Sequence, residues 1–372
     1  MKKIFTFGLN ESIPASASIG TKELYNLVGH NTGNLAFHYA INRLINTVPR
    51  TVSWSSSAEQ INLMGDIGIM PCANQLGSHM NMGGLANTFK NLKTNMLAIG
   101  LGAQGGVGHD DIPVLPQGTL SWLEELVARA ASDKPNITVR GDYTLKVMEH
   151  YGFGDKAISM GCPSLLINKS RNLGEQLEER YKSNYQKVAI ASGHPNWKAL
   201  SAIEASLVRI MEDTHGMYIV QATDEAVALS RNDFDLVNPA YISKLKSYLK
   251  LNLDDAQFTQ WIRKYFISFY NIPAWMEYLK RFDFIVGARI HGVMLAIQAG
   301  VPGLCIAHDS RIRELCEKSK IPYVMADQIK DGITLNDLKT LSEFDGKAFD
   351  KNRETIAEQY KMFFANNGVS IR

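Results

Sequence analysis

A chain of 372 residues that is 45% apolar and 20% charged is long for a single core and too apolar for a disordered or fibrous protein. A net charge of +2 gives no argument for nucleic acid as a partner. Cys72, Cys162, Cys305 and Cys316 stand far apart with no Cys-x-x-Cys pair, which predicts reduced, mostly buried thiols in a cytoplasmic protein without a structural metal.

In chain order, short apolar runs bounded by Gly, Asn or Pro alternate with amphipathic stretches, the pattern of βα units. The first run follows two lysines and is too short for a signal-peptide core, so it reads as a strand over Lys3–Gly8. Further strands are expected at Thr51–Trp54, Ile67–Cys72, Met96–Leu101, Asn136–Arg140 and Ala157–Gly161, with helices at Leu35–Ile45, Leu120–Ala131 and Asp142–Tyr151. Asp142 reads as the N-cap of the last helix and Gly152 as its stop. Residues 169–186 are polar and read as a link, with Glu178-Glu179-Arg180-Tyr181-Lys182 as a solvated helix face. Strands resume at Lys187–Ser192, Met217–Gln221, Phe284–Gly287, Gly303–Ala307 and Pro322–Met325. Helices are expected at Trp197–Met211, Pro239–Lys250, Asp254–Phe266, Ala274–Arg281, Val293–Ala299, Arg311–Lys318 and, closing the chain, Asp350–Phe364. The expected fold class is α/β, two Rossmann-like parallel-sheet domains facing across a cleft. Residues 1–172 are expected to form the first domain, 183–330 the second and 331–372 a helical tail. No apolar run approaches the length of a membrane span.

Ligands in such folds sit at the carboxyl ends of strands. The strongest candidate there is Gly287-Ala288-Arg289-Ile290-His291-Gly292, between a strand and a helix. The glycines permit tight turns, the helix start favours an anion, a guanidinium grips carboxylate or phosphate, and a histidine moves protons near neutral pH. The structural alternative makes Arg289 a cap and His291 a satisfied core histidine. Gly100-Leu101-Gly102-Ala103-Gln104-Gly105 matches a dinucleotide fingerprint, but it follows the wrong strand and no helix starts directly after it. It reads instead as a cleft loop offering Gln104 and His109. Asn31, Thr32, Gly33 and Asn34 precede a helix, either as caps or as a site for an anion or sugar hydroxyl. Arg140 leaves a strand beside a helix start, for an anion or for a salt bridge to Asp142. His308, before Asp309, has the same strand-end placement. His109-Asp110-Asp111 lacks a second cluster and reads as a polar loop, not a metal site.

Taken in order, Asn31-Thr32-Gly33-Asn34, Ile99-Gly100-Leu101-Gly102-Ala103-Gln104, Val139-Arg140-Gly141-Asp142, Gly161-Cys162-Pro163-Ser164-Leu165 and Ala288-Arg289-Ile290-His291-Gly292 resemble the motifs of polysaccharide pyruvyl transferases, from about Asn31 to Tyr323. The resemblance implies a GT-B-like fold and transfer of the pyruvyl unit of phosphoenolpyruvate to a sugar diol, giving a cyclic ketal and phosphate without a cofactor. It implies that residues 1–172 are the acceptor side and 183–330 the donor side, and it places His291 and Arg289 at the catalytic centre. Arg140, Asn31, Gly33, Asn34, Gln104, His109, Ile290, Gly292 and His308 are then expected to bind substrate. The acceptor would be a sugar or a lipid-linked oligosaccharide of capsule or exopolysaccharide synthesis. That acceptor would bring the protein to the inner face of the membrane, with Lys351, Arg353 and Lys361 of the closing helix available for contact or simply solvated. A glycosyltransferase using a nucleotide sugar, or a non-catalytic sugar-binding member of a capsule-assembly complex, would share the architecture.

Overall fold

Strands buried on both faces read as continuous apolar runs, and the runs in this chain pair in parallel. The structure, a computed structural model, describes residues 2–9, 11–47, 49–105 and 111–372. β1 (Ile4–Phe7), β2 (Arg50–Val52), β3 (Ile67–Pro71), β4 (Asn95–Leu101), β5 (Ile137–Val139) and β6 (Ala157–Ser159) form one parallel sheet in the order β2-β1-β3-β4-β5-β6. β7 (Val188–Ala191), β8 (Tyr218–Ile219), β9 (Phe266–Ile267), β10 (Phe284–Gly287), β11 (Gly303–Ala307) and β12 (Tyr323–Met325) form a second, in the order β12-β11-β10-β7-β8-β9. The expected pair of Rossmann-like sheets is thus present. Each sheet reverses its winding once, between β1 and β3 and between β7 and β10, which opens a crevice at the strand ends.

Strand alternation divides the core of the first sheet. Ile67, Ile69, Leu97 and Ile99 face one apolar cluster, and Met70, Met96 and Ala98 face the other. The helix Asn34–Leu44 buries Leu35, Ala36, Phe37, Ala40 and Ile41 and packs against the helix Ile290–Gln298 from the second half. The stretch after β1 also crosses over. Ile13 N–H donates to Tyr270 O (2.9 Å), and Arg231 donates to Ser16 O and Ile19 O (2.9 and 2.7 Å).

Several local expectations need correction. Within residues 169–186 the helix runs Leu173–Tyr181, starting earlier than the face read at Glu178–Lys182. The supposed solvated face is anchored, because the Tyr181 hydroxyl donates to Gly303 O (2.8 Å) and accepts from Gly303 N–H (2.9 Å). Gly141, not Asp142, holds the N-cap position of Asp142–His150, and the Asp142 carboxylate takes the Ser159 hydroxyl at 2.5 Å. Phe266 leaves the preceding helix and pairs in β9. The closing helix runs Gly346–Asn366, and Arg353 on it is buried, donating to Leu165 O (3.3 Å) and Ser170 O (2.9 Å), so it is not a solvated cation. Beyond that helix, Ile371 bridges Ile45, and Arg372 N–H donates to Leu44 O at 2.9 Å. Among the described residues no helix is long and apolar enough to cross a membrane.

Gly287 ends β10 with φ +155°, and a Cβ there would lie 2.1 Å from Ala191 O on the paired strand β7. Gly287→Ala is expected to lower unfolding free energy by roughly 1–3 kcal/mol through backbone strain alone, read as a lower urea midpoint.

Candidate active site

The loops at the carboxyl ends of both sheets meet in a pocket of about 130 Å³. Asn31, Asn34, Ala73, Asn74 and Arg140 line it from the first half. Trp197, Gln221, Ala288, Arg289, Ile290, His291, His308, Arg311 and Ile312 line it from the second. Several contacts hold the halves together around it. Thr32 N–H donates to Gln221 O (3.0 Å), His291 Nε2 lies 3.6 Å from Cys162 Sγ, and the Glu314 carboxylate takes Thr144 N–H (2.9 Å) and the Thr144 hydroxyl (2.6 Å). Thr144 is in the first turn of Asp142–His150, so Glu314 satisfies an amide that the helix leaves without an acceptor.

Arg140 and Arg289 are the electrostatic centre. Arg140 is buried and donates to Gly100 O (3.0 Å) and Cys72 O (3.4 Å), with no bond to Asp142. Arg289 occupies the N-cap position of Ile290–Gln298 without capping it through its side chain. Its guanidinium stacks on the Trp197 ring at 5.0 Å, and its Nε is buried without a partner. Among the described residues neither arginine has a carboxylate within ion-pair distance. Burial pulls both guanidinium pKa values below the ordinary arginine value. Arg311, by contrast, is paired with Asp309 (Nε to Oδ2 3.2 Å), which also caps its own helix by accepting Ile312 N–H at 3.0 Å. The first-turn amides of Ile290 and His291 add the positive end of a helix. The surroundings are those of an anion site.

His291 is only 7% exposed, with its ring 5.4 Å from that of Phe37. Burial, and then Arg140, lower its pKa from 6.5 to about 3, so the ring is neutral in the free protein. The His308 ring lies 4.1 Å from that of Trp197, tilted at 46°, and its buried Nδ1 has no partner among the described residues. Asn31 Oδ1 accepts Gly33 N–H (2.9 Å), and the Asn34 amide nitrogen donates to Val28 O and Gly29 O (3.2 and 2.9 Å). Asn34 therefore braces its loop and caps no helix, which leaves its amide oxygen for a ligand. Gly33 and Gly292 line nothing themselves but permit close approach. A Cβ on Gly33 would lie 2.5 Å from Gln221 Oε1, and one on Gly292 would lie 2.8 Å from Ala191 Cβ. Gln104 also stands one layer back, accepting at 3.0 Å from the amide of Asn74, which does line the pocket. His109 lies outside the described residues. Among those described, no group of three metal-ligating side chains assembles.

The sequence reading passed over Asn74, Trp197, Gln221 and Arg311. Each ends or closely follows an expected strand or starts an expected helix, so position, though not residue type, was a usable signal. Asn74 spends both amide hydrogens on Gln104 Oε1 (3.0 Å) and His79 Nε2 (3.2 Å) and keeps its carbonyl oxygen free. Gln221 Nε2 is buried without a partner.

Because His291 is neutral when folded, the unfolded chain binds more protons between pH 6.5 and 3, and stability falls as pH drops through 6.5. Burial raises the Glu314 carboxyl to about 7, which gives the opposite slope, so the effect of His291 is read against a His291→Asn variant. Between pH 7 and pH 5 the wild type should lose roughly 2 kcal/mol more unfolding free energy than the variant, measured by urea titration.

The family model of polysaccharide pyruvyl transferases matches residues 31–310. No curated protein matches the chain. Among solved structures, the S. aureus MnaA–UDP co-structure is 11% identical over 99% of this chain and 97% of that one, with a TM-score of 0.46. UDP-GlcNAc 2-epimerase from Methanocaldococcus jannaschii is 13% identical over 97% and 100%, with a TM-score of 0.43. Anabaena Alr3699/HepE in complex with UDP and glucose is 10% identical over 99% and 98%, with a TM-score of 0.46. With the matched segment covering most of the chain and carrying the Arg289–His291 motif, this protein belongs to the polysaccharide pyruvyl transferase family.

Proposed function

We propose that this protein transfers the pyruvyl unit of phosphoenolpyruvate to two hydroxyls of a saccharide, forming a cyclic ketal and releasing phosphate. The observation that carries this reading is a pair of guanidiniums facing one pocket without a carboxylate, Arg140 buried and Arg289 half-buried with its Nε shielded from water. Burying a cation unpaired costs several kcal/mol, and a small multiply charged anion recovers it. Phosphoenolpyruvate offers a carboxylate and a phosphate on a three-carbon frame, suited to two cations and a helix start. A nucleotide sugar would need an acid at a strand end for its ribose, and the lining holds no carboxylate.

His291 handles the proton. The charge of the bound donor favours imidazolium, so His291 takes up a proton as the anion binds. It then protonates the methylene carbon while one sugar hydroxyl attacks the central carbon. The C–O bond to phosphate breaks, and the second hydroxyl closes the ring. Of the two hydroxyl protons lost, one restores His291 and the other leaves with phosphate. Asn31, Asn34, Asn74 and Gln221 supply neutral amides for the sugar hydroxyls. The reaction is placed in the cytosol, with any lipid-linked acceptor presented from the inner membrane face.

Phosphoenolpyruvate at a hundred times its dissociation constant should stabilise the wild type by about 2.7 kcal/mol, a few degrees in a melting scan, and Arg289→Ala should lose that shift. No shift in the wild type would remove the donor from the proposal. His291→Ala, folded, should lower turnover about 100-fold or more in a phosphate-release assay with the acceptor present.

A further inference from the structure

A neutral imidazole at the pocket can meet an anion either with an N–H or with a lone pair, and His291 lies between the two arginines of the lining. Which nitrogen of His291 carries its proton therefore matters, and the structure holds the group that decides it. His291 Nε2 points away from the loops of its own sheet to Cys162 Sγ at 3.6 Å, just after β6 of the other sheet. Cys162 Sγ in turn accepts the Ser164 hydroxyl at 3.0 Å. All three side chains are buried, and no hydrogen bond occupies His291 Nδ1 among the described residues.

We infer that Cys162 is a positioning residue for His291: its thiol donates to Nε2 and so fixes the neutral ring as the Nδ1–H tautomer, with that N–H available to the ligand. The direction follows from the chemistry of the three groups. Sulfur is a weak acceptor already taking the Ser164 hydroxyl, whereas an imidazole nitrogen is a strong one. The thiol keeps its proton, because burial raises its pKa while burial lowers that of His291, and a neutral pair results. With Nε2 engaged as acceptor, the single ring proton must sit on Nδ1.

A thiol also suits both charge states of the ring. When His291 takes up a proton with the donor, the proton goes to Nε2, the thiol hydrogen rotates away about Cβ–Sγ, and the S–H···N bond becomes N–H···S without any heavy atom moving. A carboxylate in that place would accept from Nε2–H in the resting ring and leave the Nδ1 lone pair facing the anion. The role of the tautomer in catalysis rests on the proposed pyruvyl transfer, but the tautomer itself does not.

The test uses protein carrying histidine labelled with ¹⁵N at both ring positions, in two-bond ¹H–¹⁵N spectra near pH 7.5. The His291 signals, among nine histidines, are identified by their loss in His291→Asn. Nδ1 should carry the proton in the wild type. Cys162→Ser, which keeps a donor, should preserve that tautomer. Cys162→Val, which keeps volume without a donor, should shift the population towards Nε2–H, with Cys162→Ala read in its place if the valine variant does not fold. An Nε2–H tautomer in the wild type overturns the inference, as does an unchanged tautomer in the apolar variant. Adding phosphoenolpyruvate separates the two readings. A ring that stays neutral with the Cys162-dependent tautomer intact counts against the proposed donor and leaves the role of Cys162 standing.

Discussion

Two guanidinium groups without a carboxylate partner, Arg140 buried and Arg289 half-buried with its Nε shielded from water, are what the rest of the cleft is fitted to. An unpaired charge taken out of water is unfavourable, and a protein that keeps two such cations must hold each by other means. Arg140 is held by backbone carbonyls, Gly100 O and Cys72 O, at the ends of strands whose register is fixed by the core. Arg289 is held by the face of Trp197. Carbonyl dipoles and a ring face reduce the desolvation penalty without neutralising the charge. The field in the cleft is therefore preserved for a ligand, and it is set before the ligand arrives.

That arrangement depends on both sheets being docked, because Arg140 follows β5 and Arg289 follows β10. The contacts that dock them lie at the site. Thr32 meets Gln221, Cys162 meets His291, and Glu314 bonds the first turn of the helix that starts after Arg140. Glu314 is also close enough to Arg140 to raise its pKa, yet it is turned onto Thr144, so it braces the arginine loop without quenching it. Moving the halves apart would disturb docking and catalysis together, and Gly33 shows how little slack exists, with no room for a methyl group between Gln221 and His291.

Much of this was legible in the sequence, since burial on both faces leaves parallel strands as apolar runs and the chemistry follows at their ends. Arg289, His291 and Arg140 could be picked out because a charged side chain at a strand end beside a helix start has few structural uses. Asn74, Gln221 and Trp197 could not, because amides and indoles occur at any loop, and their value here comes from partners distant in sequence, such as Gln104 for Asn74 and Arg289 for Trp197. The anchoring of the helix Leu173–Tyr181 was hidden for a related reason. Its polar face looks solvated until Arg180 is seen donating to Phe282 O and Tyr181 to Gly303 O, over a hundred residues away. Arg353 misled in the same way, as a cation whose partners are carbonyls of the first half.

The distribution of donors and acceptors around the pocket separates two tasks. The cations reach in from both halves, whereas Asn31, Asn34 and Asn74 all come from the first, and their amide nitrogens or oxygens are already partly committed to bracing loops. Each therefore offers one fixed polar group rather than a free-rotating amide. Fixed neutral groups discriminate between hydroxyl geometries, because a sugar that fails to match leaves a buried polar atom unpaired. In the proposed reaction, charge would hold the donor with little regard for shape, and the amide wall would read the acceptor by geometry. His291 lines the same pocket and is neutral in the free protein at neutral pH. A bound anion would favour its charged form, so in that reaction protonating power would be greatest in the loaded site.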